Sequence, residues 1–427
     1  MVYRLLRYPL WLLYICFFRR IYFIGADKIP KKNPVIFTSN HSNGFLEPLI
    51  IAVLQWRHIW FWVGASEIGG GFKGWLMQAG HSLPIYRQKE GKENMHKNEV
   101  TFQTSREVLY NGNTLYLAPE GRCIIHKELL PFKTGCARLA FKMMEEKNWQ
   151  LDLKIIASGI NYTYHDRFRS DVYVKFGKVL SVLDYKELYL QDNFAAVTKV
   201  TEDLREAIQA EMIYVRAEDE ALTEQLLPMG RNNVARGTFP IYGSDSRAFD
   251  TEQKIANTVG QLAPAAKEEL TVAVAAYQQQ LQQSKTTDYA VANKNKRSFL
   301  GILLGFPIWL VGLISGIVPH ILSSKLTAKV VPYPEFKASF SITIALAIWF
   351  LYGLIVIGVG SVWLSWWAIL VPFGMVATQF FAYHYQDYYQ DYQALAKHQK
   401  VTNKTALAEQ RAAIMKRVLQ NKEALDS

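Results

Sequence analysis

Val35-Ile-Phe-Thr38-Ser-Asn-His41-Ser-Asn-Gly-Phe-Leu-Glu47-Pro48 starts as a short apolar run and passes directly into a histidine, with a glutamate six residues further on. The run Val35–Thr38 is β-branched and aromatic, as a buried strand requires. Runs of the same kind follow at Trp60–Val63, Ser82–Tyr86, Thr114–Leu117, Leu153–Ile156 and Val172–Phe176, with helix-length segments between them. Strands alternating with helices argue an α/β layer architecture over residues 33–180.

The residues that follow these strands carry chemistry. A neutral histidine beside a carboxylate is a general base whose tautomer the acid fixes, which makes His41 and Glu47 the candidate pair. The strand in Gly80-His-Ser-Leu-Pro-Ile-Tyr-Arg87-Gln-Lys89 ends in two cations. Such a strand end suits a phosphate, with Arg87 supplying a two-pronged grip and Lys89 a point charge. Leu115-Tyr-Leu-Ala-Pro119-Glu120-Gly121-Arg122 runs into a tight turn and is followed by Pro131-Phe132-Lys133-Thr134-Gly135. Gly121 would let the backbone approach a ligand closely, and Glu120, Arg122 and Lys133 offer polar handles. A fourth stretch, Ile155–Ile160, reads as a core strand leading into Asn161-Tyr-Thr-Tyr-His-Asp-Arg-Phe-Arg169 and on to Gly177.

These four blocks, in this order over about residues 20–180, resemble the glycerolipid acyltransferase superfamily of PlsC-type enzymes. The resemblance implies an αβα acyltransferase domain in which His41 and Glu47 are catalytic. It also implies that Arg87, Lys89, Glu120, Gly121, Arg122 and Lys133 bind substrate. The usual first block has four residues between His and an Asp, whereas five separate His41 from Glu47 here. That spacing, the following Pro48 and the Asn161–Gly177 stretch look like the fungal-type glycerol-3-phosphate/dihydroxyacetone-phosphate acyltransferase branch. Glu47 in place of Asp, and Ala157 in place of a common Pro in the fourth block, are departures.

Acyl transfer from a thioester to an alcohol needs a base, oxyanion stabilisation and a phosphate grip. No serine or cysteine nucleophile with a partnered histidine stands out, so direct attack by the acceptor alcohol is preferred over an acyl-enzyme. Cys123 and Cys136, close to the third block, read as packing residues. Three scattered cysteines form neither a disulfide framework nor a zinc site, which points to a reducing compartment. No metal site or cofactor is expected; acyl-CoA or an acyl-carrier-protein thioester enters as co-substrate.

The 427-residue chain is 50% hydrophobic and 20% charged, too apolar for a disordered protein and too charged for a pure membrane bundle. Its net charge of +11 lies wholly within residues 1–180, which hold 25 Lys and Arg against 14 Asp and Glu. Such a region prefers anionic surfaces. Met1-Val-Tyr-Arg-Leu-Leu-Arg followed by the apolar Tyr8–Phe18 and Arg19-Arg20 fits a helix lying in the headgroup plane; a buried core helix is the alternative. Near the C-terminus, Ile342–Val359 and Trp363–Tyr383 are uncharged and long enough to span a bilayer, joined at Gly360-Ser361-Val362.

A third apolar run, Phe299–Leu322, contains four glycines and two prolines, and reads as a third span or a bent re-entrant hairpin. Basic residues flank it (Lys294, Lys296 and Arg297 before; Lys325, Lys329 and Lys337 after) and recur in the tail. Keeping all three basic regions cytoplasmic favours two spans plus a re-entrant segment.

The expected organisation is therefore an interfacial helix over 1–30, the acyltransferase domain over 31–180 and a helical insertion over 181–298. A membrane region over 299–383 follows, re-entrant or spanning at 299–322 with spans at 341–360 and 363–383, and then a basic helical tail over 384–427. Within the insertion, Thr198–Val215 and Glu252–Gln283 read as amphipathic helices separated by Pro228–Ser246.

The expected protein is an integral membrane O-acyltransferase of phospholipid biosynthesis. Its acceptor is glycerol 3-phosphate or dihydroxyacetone phosphate, with a 1-acylglycerol-3-phosphate (lysophosphatidate) acyltransferase as the alternative. Its active site is expected on the cytoplasmic face, of the cell inner membrane in a bacterium or the endoplasmic reticulum in a eukaryote. A non-catalytic lipid-binding membrane protein is the reading from another class, against which the intact His41, Arg87 and Glu120 count. The basic excess accompanies membrane segments, so phospholipid, not nucleic acid, is the expected anionic partner.

Overall fold

The computed structural model describes residues 2–55, 57–88, 91–234, 242–293, 297–331 and 333–419. Lys89, Lys294, Lys296, part of the Pro228–Ser246 separator and the end of the basic tail lie outside the described residues. The chain divides into two compact units. The first comprises residues 1–212, 242–244 and 333–339, and the second comprises 213–241, 245–332 and 340–427.

The first unit is built on strands β1 (Arg20–Ile24), β2 (Val35–Ser39), β3 (Ile59–Gly64), β4 (Ser82–Ile85), β5 (Thr114–Leu117), β6 (Lys154–Tyr162), β7 (Asp171–Ser181) and the two-residue β8 (Tyr242–Gly243). Among the described residues they form one eight-stranded sheet in the order β4-β3-β5-β2-β6-β7-β1-β8. Every neighbour pair is parallel except β6 and β7. The six strand runs read from the sequence are all present, and β6 and β7 extend beyond them. β2 is buried along its whole length, as a central strand covered on both faces must be.

The helices of this unit are α1 (Val2–Phe17), α2 (Leu46–Leu54), α3 (Ala65–Ile68), α4 (Gly71–Ala79), α5 (Asn98–Tyr110), α6 (Gly135–Glu146), α7 (Lys186–Gln191) and α8 (Asn193–Ala210). α8 buries Ala196, Val200, Leu204, Ala207 and Ile208 against β6, β7 and α6. That apolar stripe ties α8 to the sheet. α1 packs on α2 and buries Tyr14, while Leu5, Tyr8, Trp11 and Leu12 stand exposed.

The second unit holds α9 (Glu220–Asn232), α10 (Arg247–Gln261), α11 (Pro264–Gln283), α12 (Asp288–Ala292), α13 (Phe299–Val330), most of α14 (Pro334–Leu364), α15 (Val371–Gln399) and α16 (Lys404–Leu419). The segment read as one amphipathic helix, Glu252–Gln283, breaks at Leu262–Ala263, and Pro264 starts the next helix, where its missing N–H costs nothing. The buried Arg231 grips Glu252 through two hydrogen bonds of 2.7 and 2.9 Å. Arg411 of α16 donates to Asp288, Asn233 and the Met229 carbonyl, fastening α16 to α9 and α12.

The re-entrant reading of Phe299–Leu322 does not hold: α13 is one continuous helix of 32 residues. Its glycines do not break it. They sit on the face against α15, where a Cβ on Gly305 would meet the Tyr385 ring at 2.8 Å. A Cβ on Gly312 would meet the Thr378 carbonyl, and one on Gly316 the Gln379 side chain. Small residues spaced to let two helices approach closely are a known device of membrane helix pairs. The reversal between α14 and α15 lies at Ser365–Leu370, beyond the expected Gly360–Val362 link. α13 and the stretch Pro334–Gln399 are long and apolar enough to cross a membrane.

Candidate active site

Parallel pairing of β2, β3, β4 and β5 puts their C-terminal ends along one edge of the sheet, and His41, Arg87 and Glu120 of the first three blocks follow the ends of β2, β4 and β5. Such an edge is the usual ligand face of an open α/β sheet. With β4-β3-β5-β2 as the local order and strands about 4.8 Å apart, the ends of β4 and β2 are about 14 Å apart.

His41 follows β2. Asn40 before it pairs with both backbone groups of Ile160, at 2.8 and 2.9 Å, and so pins the strand end to β6. Glu47 lies in the first turn of α2 and reaches back, placing Oε2 3.2 Å from His41 Nδ1. Its other oxygen accepts the Ser42 N–H at 3.2 Å and the Ser42 hydroxyl at 3.3 Å. A helix N-terminus favours an anion, which explains how a fully buried carboxylate is tolerated there. The six-residue separation is thus the length of a loop plus a half-turn, and the His41–Glu47 pair exists in three dimensions.

Tyr14, Tyr116 and Tyr162 surround the Glu47 carboxylate. Burial pushes all three hydroxyls up, and the Glu47 charge pushes them further.

Burial alone would push His41 down. Its partners Cys123 and Glu47 outweigh that and hold the imidazole well above its ordinary value. The Cys123 contact is a correction to the sequence reading: Cys123 Sγ lies 3.0 Å from His41 Nε2. Cys136, by contrast, is a buried packing residue of α6. The 82-residue separation of His41 and Cys123 carried no local signal, because only the side-by-side placement of β2 and β5 brings their loops together.

Glu120 is buried beneath the site. Its oxygens accept the backbone N–H groups of His41 and Leu130, each at 2.9 Å. Gly121 turns with φ 71°, a conformation glycine adopts freely, and the Lys133 side chain lies 3.6 Å from where a Cβ would stand. Arg122 and Lys133 are exposed. Arg87 lies across Gly64 at the end of β3, with Nη2 3.3 Å from the Ser66 hydroxyl and 3.9 Å from Glu67. The guanidinium therefore leans from the sheet edge toward the centre of the site.

Residues 333–339, far along the chain, complete the first unit. Ser339 donates to the Asn43 carbonyl at 2.8 Å and accepts the Phe45 N–H at 3.2 Å. The Phe336 ring covers Gly44, where a Cβ would meet it at 2.9 Å and where the φ of 50° already favours glycine. Asn43 also donates to the His165 carbonyl, and Lys337 pairs with Asp166 at 3.0 Å. The fourth block thus meets the His41 loop from the other side.

Residues 20–161 match the family model described as Acyltransferase. The matched region spans about a third of the chain and takes in β1 through most of β6. An uncharacterized acyltransferase of Schizosaccharomyces pombe is 35% identical over 85 residues, which is 20% of this chain and 12% of that protein. Glycerol-3-phosphate O-acyltransferase 1 of Saccharomyces cerevisiae is 34% identical over 76 residues, covering 18% and 10%. The matched stretch thus spans about a tenth of the length of these curated relatives. A solved structure, the 1-acyl-sn-glycerophosphate acyltransferase PlsC of Thermotoga maritima, aligns with 45% of this chain and 79% of its own at 17% identity and a TM-score of 0.30.

Proposed function

We propose that the chain is a membrane-associated acyltransferase that moves a fatty acyl group from a thioester to the hydroxyl of glycerol 3-phosphate or dihydroxyacetone phosphate. The observation that carries this is the buried Glu47 held 3.2 Å from His41 Nδ1. That contact fixes the tautomer in which Nε2 takes a proton and stabilises the imidazolium that results. Arg87 grips the acceptor phosphate from the β4 end. Arg122, Gly121 and Lys133 line the approach from the β5 end, and Glu120 positions the His41 loop. The glycerol-3-phosphate acyltransferase among the relatives supports this acceptor class.

The donor is acyl-CoA or an acyl-carrier-protein thioester, and the product leaves into a leaflet. The site therefore works at headgroup depth on the cytoplasmic face. The exposed apolar stripe Leu5, Tyr8, Trp11 and Leu12 of α1 supports a membrane-lying helix beside it. The basic residues of 1–180 would add about 1 kcal/mol each where they face anionic lipid. The test is incubation of the purified protein in vesicles with palmitoyl-CoA or palmitoyl-acyl-carrier protein and labelled glycerol 3-phosphate, dihydroxyacetone phosphate or lysophosphatidate. Consumption of either of the first two supports the proposal. Consumption of lysophosphatidate alone reassigns the acceptor, and consumption of none overturns acyl transfer.

A further inference from the structure

Five residues separate His41 from Glu47, and the loop they form must still bring Oε2 to 3.2 Å from Nδ1. Each added loop residue brings further conformations that folding has to exclude. The local sequence does little to exclude them. Phe45 stands at the N-cap of α2, where a serine, threonine, aspartate or asparagine would accept a free N–H of the first turn, and no side chain caps from that position. Gly44, at φ 50°, adds freedom to the loop.

Ser339, 294 residues beyond Phe45, supplies what the loop lacks. Its hydroxyl accepts the Phe45 N–H at 3.2 Å and donates to the Asn43 carbonyl at 2.8 Å, so one oxygen bridges the peptides on either side of Gly44. The same Asn43 carbonyl accepts the Leu46 N–H at 2.9 Å, the turn that opens α2. Phe336, one turn before Ser339 on α14, closes its ring over Gly44. Lys337 pairs with Asp166 while Asn43 donates to the His165 carbonyl, so segment and loop are tied to the same stretch of the fourth block. Ser339 is buried, and residues 333–339 belong to the first unit with the loop they hold.

We propose that Ser339 is a positioning residue for the reaction: it caps α2 from outside the four blocks and so holds Glu47 against His41 Nδ1. Its kinetic consequences rest on the acyl-transfer reading above. Without the hydroxyl, two buried backbone groups lose a partner, and the loop relaxes to conformations in which the carboxylate no longer faces Nδ1. Cys123 and Glu120 hang from the β5 side and keep their hold on the imidazole and on the His41 N–H. The imidazole thus stays in place and loses its acid. Burial pushes that imidazole down while Cys123 and Glu47 raise it, so loss of the Glu47 contact moves its titration down.

The experiment compares full-length wild type, Ser339→Ala, Glu47→Gln and the double variant. It reads the pH profile of kcat/KM and the titration of the His41 imidazole in protein carrying isotope-labelled histidine, the signal being identified by its loss in His41→Ala. Ser339→Ala should lower kcat about 10–10²-fold with the acceptor KM within a few-fold of wild type. It should move the acid limb and the imidazole titration down, and add little once Glu47→Gln is present. Ser339→Thr keeps the hydroxyl and should recover most of the loss. A wild-type kcat and an unmoved titration in Ser339→Ala overturn the proposal, as does a shift that adds in full to that of Glu47→Gln. Where Ser339→Ala does not fold, Ser339→Cys decides, because a thiol in the same place is a weaker donor and acceptor. An unmoved titration in that variant overturns the proposal. The titration needs no turnover, so a wild-type protein that acylates none of the three acceptors overturns the acyl-transfer reading while the imidazole still judges Ser339.

Discussion

Glu120 accepts the backbone N–H of His41 at 2.9 Å across 79 residues of chain. A glutamate that the sequence presents as a polar handle for substrate braces the His41 loop, with its second oxygen on Leu130 N–H. Glu120→Gln keeps one acceptor oxygen and sets an amide donor against the other N–H. The expected loss is about 1–3 kcal/mol of stability from the unsatisfied buried group, together with a fall in kcat. Denaturant unfolding alongside kinetics checks this; unchanged stability would return Glu120 to the substrate side.

His41→Ala should remove about 10²–10⁴-fold of turnover while leaving the sheet folded. Glu47→Gln should cost less, since it keeps a contact to Nδ1 but loses the charge that stabilises the imidazolium. Purified His41→Ala turning over at a near wild-type rate would remove His41 from the mechanism.

The pH profile follows from the raised imidazole. His41 stays protonated above its ordinary range, so the neutral, base-competent form appears only at higher pH. The acid limb of kcat/KM is expected above about 6.5. Glu47→Gln removes one of the causes and should move that limb down. The matching stability contribution is full below the unfolded value and is lost as pH rises through the folded one. A wild-type limb at or below 6.5 contradicts the assignment.

Arg87→Lys should raise the acceptor KM with little change in kcat, because lysine cannot supply the two-pronged grip. Gly64→Ala is expected to do the same in part. Its Cβ would run into the Arg87 guanidinium, the far end of a long side chain, and displace it from the place it takes over Gly64. A raised donor KM with an unchanged acceptor KM would place Arg87 at the donor instead.

The continuous α13 predicts a labelling pattern. Single cysteines placed along residues 299–330, after removal of the native thiols, should react with a water-soluble thiol reagent admitted to both faces of the vesicles only near the two ends. Labelling centred on Gly312–Gly316 would restore the re-entrant hairpin. Gly316→Leu should separate α13 from α15, since its side chain would occupy the place of Gln379, and lower the detergent-resistant melting temperature.

The sequence by itself determined the alternation of strands and helices, the four blocks and their order, and the long apolar stretches. All of these are written in local hydrophobic period and residue type, which a linear reading captures. The His41–Glu47 pair belongs with them, because both residues lie within one loop and the first turn of the next helix. Only the tertiary structure decided what the blocks do to one another. Parallel pairing of β2 with β5 brings Cys123 to His41 and slides Glu120 under it, although some 80 residues separate them in the chain. Residues 333–339 close on Asn43–Phe45 from a segment that reads only as the start of an apolar helix. The glycines of α13 show the same limit. Composition alone presents them as breakers, and it is the neighbouring α15, filling the space their missing side chains leave, that makes them contact residues of a continuous helix.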